Sequence, residues 1–228
     1  MLSLRLFLLP LLVLGATVSA VGQAAPDQGL YGNVEDAVYT APNERFRVTV
    51  PVLGGLGGKI FDTENVVTFS DDVSTYVSIA CFPLDRSSRW ERDTRGLRDF
   101  LAYFFAVHVA PNFEERFPGT TNEASDYSPD FRAGSLFVYT LLPGGSAFDA
   151  RRSGLDLPSA EPLVAKRGNL LFVANECIFI VSAELAERVT QRSVFHTTPQ
   201  EENLLLRHRL IDLANHLQIP GTAPGRRH

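Results

Sequence analysis

The stretch GNLLFVANECIFIVSAEL, residues 168–185, carries apolar side chains at nearly every position on both sides of Ala174-Asn175-Glu176. A strand with one wet face alternates polar and apolar residues, whereas a strand covered on both faces does not. The stretch therefore predicts a hairpin whose two strands are central in a sheet. Few other features of the chain constrain its fold so tightly.

The remaining segments take their places around that hairpin. In FRVTVP, Phe46, Val48 and Val50 alternate with Arg47 and Thr49, the period of a half-buried strand ended by Pro51. NVVTFSDD and TYVSIACFPL predict a second and a third strand, joined by a turn whose Asp and Ser side chains bond their own backbone. From Thr94 to Ala110 the period changes. Leu97, Phe100, Leu101, Phe104, Phe105 and His108 recur at helical spacing, and Pro111 is expected to stop or kink that helix. FRAGSLFVYTLLP predicts another strand, and Gly144 to Ser159 a loose loop. Thr198-Pro199-Gln200-Glu201 is a capping box with proline at the first helical position, followed by an apolar face of Leu206, Leu210, Leu213, Ala214 and Leu217. Strand meanders with two separated helices imply an α+β fold, an antiparallel sheet with helices packed on it.

The first twenty residues, MLSLRLFLLPLLVLGATVSA, have a basic n-region at Arg5, an apolar run from Leu6 to Ala16, and the small residues Val18-Ser19-Ala20. That is the pattern of a secretory signal peptide cut after Ala20; a retained anchor is the alternative. The expected organisation is a signal peptide at 1–20, a flexible leader at 21–35, one domain at 36–220 and a disordered tail at 221–228. A periplasmic or secreted protein is expected, with no stable membrane span after cleavage. The 21 basic and 26 acidic side chains give a net charge of -5, so nucleic acid is a poor partner.

No motif identifies a reaction. In PVLGGLGGKI, residues 51–60, a phosphate loop would need glycine at Leu53 and a hydroxyl at Ile60. The cluster reads instead as a flexible hairpin loop between the first two strands, with Lys59 solvated and available to a partner. Gly144-Gly145-Ser146-Ala147-Phe148 lacks the last glycine of a nucleophile elbow. His208, Asp212 and His216 step along one face of the last helix, which a solvated face explains without a metal. Asp71-Asp72 and Glu114-Glu115 are adjacent pairs in turns, and neighbouring carboxylates do not face one another as an acid and base must. No catalytic, cofactor-binding or metal residue is assigned. Trp90, flanked by charge in DRSSRWERD, is a candidate partner contact. Cys81 and Cys177 lie in separate strand-like runs, and form either a disulfide or two buried thiols.

The order YTAPNERFRVTVP, loop, VVTFSDDVSTYVSIACF, long helix, strands, KRGNLLFVANECIFIVSAE and a capped final helix resembles the PsbP-like family. Its members include an extrinsic photosystem II subunit and a Ran-binding nuclear import factor of the same fold, and uncharacterised secreted bacterial proteins are the nearest in character. The resemblance spans roughly 36–220. It implies an α/β/α sandwich with a mostly antiparallel sheet. It also implies a non-catalytic binding or assembly role toward a protein partner or small ligand, with no cofactor. The competing reading is a secreted hydrolase-type enzyme whose site joins distant residues such as His108, Asp130 and Arg132.

Overall fold

The computed structural model describes residues 29–148, 163–190 and 195–221. The expected signal peptide, most of the leader and nearly all of the tail lie outside the described residues, as does most of the loop expected at Gly144 to Ser159. The strands are β1 (Asn33–Glu35), β2 (Val38–Thr40), β3 (Arg47–Thr49), β4 (Lys59–Asp62) and β5 (Val66–Ser70). They continue with β6 (Tyr76–Pro83), β7 (Thr121–Ser128), β8 (Ser135–Pro143), β9 (Val164–Ala174) and β10 (Cys177–Glu184). The helices are α1 (Arg86–Arg95), α2 (Leu97–Phe104), α3 (Ala110–Arg116), α4 (Glu187–Thr190) and α5 (Pro199–His216).

Seven strands form one sheet in the order β4-β5-β6-β10-β9-β8-β7, every pair antiparallel. The β9–β10 hairpin is central, as its two apolar faces require. Asn175 and Glu176 turn it at φ of 52° and 55°, the left-handed pair of a two-residue hairpin turn. Alternate residues then serve two cores. Leu170, Phe172, Phe179 and Val181 meet Leu206, Leu210, Ala214 and Leu217 around α5. Leu171, Ile178 and Ile180 meet Phe100, Leu101, Phe105, Val109 and Phe113 on the other face. The result is the expected α/β/α sandwich.

A second sheet, β1-β2-β3, adds Tyr39, Phe46 and Val48 to the α5-side core. FRVTVP thus pairs with β2 and not with VVTFS. The glycine-rich loop is therefore a crossover between two sheets rather than a hairpin turn. It leads into β4, a four-residue edge strand that the sequence pattern did not mark. Its Gly57 sits at φ 75° with Asp72 close against it, which forbids a side chain. Part of the expected leader is ordered too, since β1 starts at Asn33.

Helix formation departs from expectation at both ends of Thr94–Ala110. α1 starts at Arg86, where the Asp85 side chain accepts from the Ser88 N–H. Trp90 therefore lies within a helix rather than before one. Pro111 does not end the helical run. Phe105–Val109 widens into a π-turn and the chain continues as α3. A proline removes an N–H and collides with the carbonyl a turn earlier, and a widened turn relieves both. The inserted residue shifts the face, so Val109 is buried and His108 is exposed.

α5 is fixed to the sheet by a buried cation. The Lys166 ammonium is fully buried, 3.0 Å from a Glu202 carboxylate oxygen, bonded to the Pro199 carbonyl, and paired with Glu123 of β7. Arg188 holds both Glu202 oxygens at 2.8 Å. Beside this cluster Gly168 lets α5 approach, because a Cβ there would meet Leu210 Cδ1 at 2.8 Å. Lys166→Met leaves Glu123 and part of Glu202 uncompensated, and urea denaturation is expected to show a loss of about 3–5 kcal/mol. An unchanged midpoint contradicts this.

Candidate functional site

The strands that build the helix-covered α2 face carry polar residues at one register. Thr68, Ser78, Ser182 and Asn169 lie side by side across β5, β6, β10 and β9. Ser182 donates to Asn169 Oδ1 at 2.8 Å, and the Asn169 amide donates to Thr140 Oγ1 at 3.2 Å and to the Val138 carbonyl. Two residues further along these strands, toward the Tyr76 end of β6, Glu184 pairs with Arg167 and Arg167 with Thr140. Here the face opens into a narrow, half-open cleft with a cavity volume of only about 30 Å³. Val66, Ala80 and Ile180 form its floor, and Val109 and Phe113 its helical wall. The π-turn that accommodates Pro111 is what puts Val109 there.

Arg167 is the unusual member. It is 5% exposed, and its guanidinium stacks 4.4 Å from the Tyr76 ring centroid. Nη2 donates to the Gly145 carbonyl at 3.1 Å and reaches Glu184 only at 3.4 Å. The stronger partners of Glu184 are elsewhere, the Ser146 hydroxyl at 2.6 Å and the Ala147 N–H at 3.0 Å. Arg167 Nε has no partner among the described residues. A buried donor left open costs about 1–3 kcal/mol. Ser78 and Ser182, both half-buried, share the cleft. Sequence reading missed this group. The available signal was one polar residue interrupting each of VSIA, GNLL and IVSA, and only the register shows that they share a face.

A second surface surrounds β4. Leu53 (66% exposed) and Leu56 (45%) lie in the loop that enters it, Phe61 (46%) lies on it, and Tyr31 (66%) donates its N–H to Asp62 at its end. Leu56 accepts from the Asp72 N–H, which draws the turn bearing exposed Val73 against the glycine loop. Lys59 starts the strand, exposed, 3.8 Å from the Asp72 carboxylate. Asp71 organises that turn by accepting from the N–H groups of Val73, Ser74 and Thr75 at 2.7–3.0 Å. Burial pushes the Asp71 carboxyl up, and those donors outweigh it and hold it below its ordinary value.

The other expected residues are scattered. Trp90 is 62% exposed but lies beyond the Pro83 end of β6, whereas Lys59 lies near the Tyr76 end, so the two candidate contacts are not brought together. Beside Trp90, Arg89 and Arg92 pair with Glu176. The enzyme constellation does not assemble. His108 is on the outer side of the α2 layer. Arg132 lies on the α5 side, donating to the Ala214 and Leu217 carbonyls that end α5. Asp130 precedes Arg132 on the loop into β8. His216 turns its ring to the Asp212 carbonyl at 2.8 Å. Cys81 and Cys177 are free thiols on the α5 face of β6 and β10. Cys81 faces Phe179 and Cys177 faces Pro83, which makes the cysteines diagonal neighbours. Burial, then the hydrogen-bonded Cys177, pushes the Cys81 thiol up. A diagonal pair is ordinarily about 7–8 Å apart at Cα, beyond the roughly 4.4–6.8 Å that a disulfide spans.

No protein-family model matches the chain, and no curated protein matches it in sequence. Solved structures do resemble it. The Ran-binding protein Mog1p of Saccharomyces cerevisiae is 8% identical over 84% of this chain and 96% of its own, with a TM-score of 0.45. Cyanobacterial PsbP from Synechocystis is 11% identical over 84% and 98%, with a TM-score of 0.46. A Bacteroides thetaiotaomicron protein is 10% identical over 84% and 50%, with a TM-score of 0.39. Both kinds of protein named by the sequence resemblance are thus among its structural neighbours. The fold itself rests on the strand order and registers above, and likeness at this level carries nothing about function.

Asp71→Ala removes three charge-assisted hydrogen bonds from the turn behind Val73. Because the folded carboxyl binds its proton less tightly than the unfolded one, its contribution is complete above the unfolded pKa and is withdrawn as pH falls through the folded pKa. The variant is expected to be about 2 kcal/mol less stable than the parent at neutral pH. Denaturation at a series of pH values should show that gap closing in acid; a gap independent of pH contradicts it.

Proposed function

We propose that the chain is an exported, non-catalytic accessory protein of the cell envelope that binds a protein partner along the β4 edge. The observation that supports this most is the set of exposed apolar side chains, Leu53, Leu56, Phe61 and Val73, gathered around a sheet edge. Scattered exposed apolar residues need no explanation, but a group beside unpaired strand N–H and C=O groups is a place for another chain to dock. Lys59 on the edge keeps it from pairing indiscriminately, which is the usual use of an edge lysine. Glycines 54, 55, 57 and 58 let the loop adapt to what it meets.

Export is supported by the basic, apolar and small-residue order of positions 1–20. Among the described residues no helix is long and apolar enough to cross a membrane. The net charge of -5 gives no positive field to attract nucleic acid, which supports a protein partner instead.

The test is capture of the exported protein from its native envelope, in parent, Phe61→Glu and Trp90→Ala forms. The parent is expected to recover a protein partner. Phe61→Glu is expected to lower recovery about tenfold or more, the loss of a single hot-spot side chain. Trp90→Ala, at the far end of the sheet, should recover it as the parent does. Undiminished capture by Phe61→Glu, or no partner together with turnover in a hydrolase screen, overturns the proposal.

A further inference from the structure

We propose that Cys81 and Cys177 together bind one soft monovalent cation of the Cu(I) type, in two-coordinate geometry between their sulfurs. The pair shares no residue with the partner surface proposed around β4, so the two readings stand or fall separately.

The register sets the spacing. Cys81 faces Phe179 and Cys177 faces Pro83, so the two cysteines are diagonal across β6 and β10 and both meet the α5-side core. Their side chains come within hydrogen-bonding reach of one another, and both remain free thiols. In a disulfide the sulfurs are about 2 Å apart. A metal ion centred between two thiolates holds them roughly 4.6 Å apart, twice a bond of the zinc–thiolate length, about 2.3 Å. A diagonal pair is too widely set for the short bridge and suits the longer one.

The ligand set selects the ion. Among the described residues no third His, Cys, Asp or Glu joins the pair, and the chain's single methionine is Met1. Zinc takes four ligands, whereas soft thiolates alone favour Cu(I). Access is from one side. Cys177 is half-buried at the first position of β10, beside the hairpin turn, and Cys81 is 1% exposed behind it.

The charge balance points to Arg45. Binding exchanges two thiol protons for one cation and leaves one net negative charge at the site. A buried anion needs a counter-charge nearby. The half-buried Arg45 donates to Asn65 Oδ1 at 2.6 Å and to the Cys81 carbonyl at 3.4 Å, and forms no ion pair among the described residues. Burial pushes the Cys81 thiol up, and the Arg45 charge acts against it. This guanidinium is therefore placed to stabilise the metal-bound thiolates.

The test titrates the reduced, oxygen-free protein with Cu(I) held by bathocuproine disulfonate, whose absorbance reports what the protein removes. The parent is expected to take one Cu(I) per chain, and X-ray absorption of the product to show two sulfur neighbours alone. Cys177→Ser should take none. Arg45→Gln should bind about tenfold more weakly or worse, while Arg45→Lys, which keeps the charge, should stay near the parent. The parent titration and its X-ray absorption decide alone should a variant not fold. Lack of uptake by the parent, oxygen or nitrogen neighbours around the metal, or undiminished binding by folded Cys177→Ser or Arg45→Gln each overturns the proposal. So does protein isolated from its native compartment with no titratable thiol in denaturant, which would mean that the pair is a disulfide.

Discussion

Lys166 and Arg167 are adjacent in sequence and point to opposite faces of the same central strand. Each is taken out of water, and each meets acids supplied by other elements. Lys166 meets Glu202 of α5 and Glu123 of β7, while Arg167 meets Glu184 of β10. Such pairs add little net stability, because desolvation offsets most of the attraction. Their effect is on arrangement. A one-residue slip of β9 would exchange the two faces, pull Lys166 from Glu202, and put Gly168 away from Leu206 and Leu210 where α5 needs room. The central strand therefore has one register, and the two helix layers take their positions from it.

What could be read from the sequence follows from how much of each element is buried. β9 and β10 were legible because they are covered on both faces, so the segments nearest their turn, Leu170–Ala174 and Cys177–Val181, are wholly apolar. α5 was legible because its capping box and leucine face coincide, and the Thr198 and Glu201 contacts of that box are present. β7 is a wet, polar edge and β4 an edge of only four residues, and neither announces itself. α1 has no buried residue, so no periodicity marks it and only its Asp85 cap could have. The π-turn was hidden for a different reason. Pro111 reads as a stop, and nothing local says that the preceding turn will widen. His108 was misplaced by that one inserted residue.

The site was less legible than the fold. Ser78, Asn169 and Ser182 look like minor interruptions of three apolar strands until the register aligns them. Arg167 reads as a charge at a strand start, yet it is stacked on Tyr76 and buried. The glycine loop shows the opposite error: conspicuous composition, ordinary chemistry. Its glycines serve a crossover between two sheets, and Leu53 before them and Leu56 among them are exposed. The two surfaces also differ in kind. The β4 edge is shallow and open, while the Arg167 cleft is narrow and mostly apolar-walled.

The central claim is that the β9–β10 hairpin, held in register by its two opposed cations, is the spine on which both layers depend. Native-state hydrogen exchange in increasing denaturant tests it directly. Amides of residues 169–173 and 178–182 should exchange only through global unfolding, after those of β1–β3 and β4 have opened locally. Exchange of the hairpin amides at a lower free energy than those of β1–β3 would contradict the account.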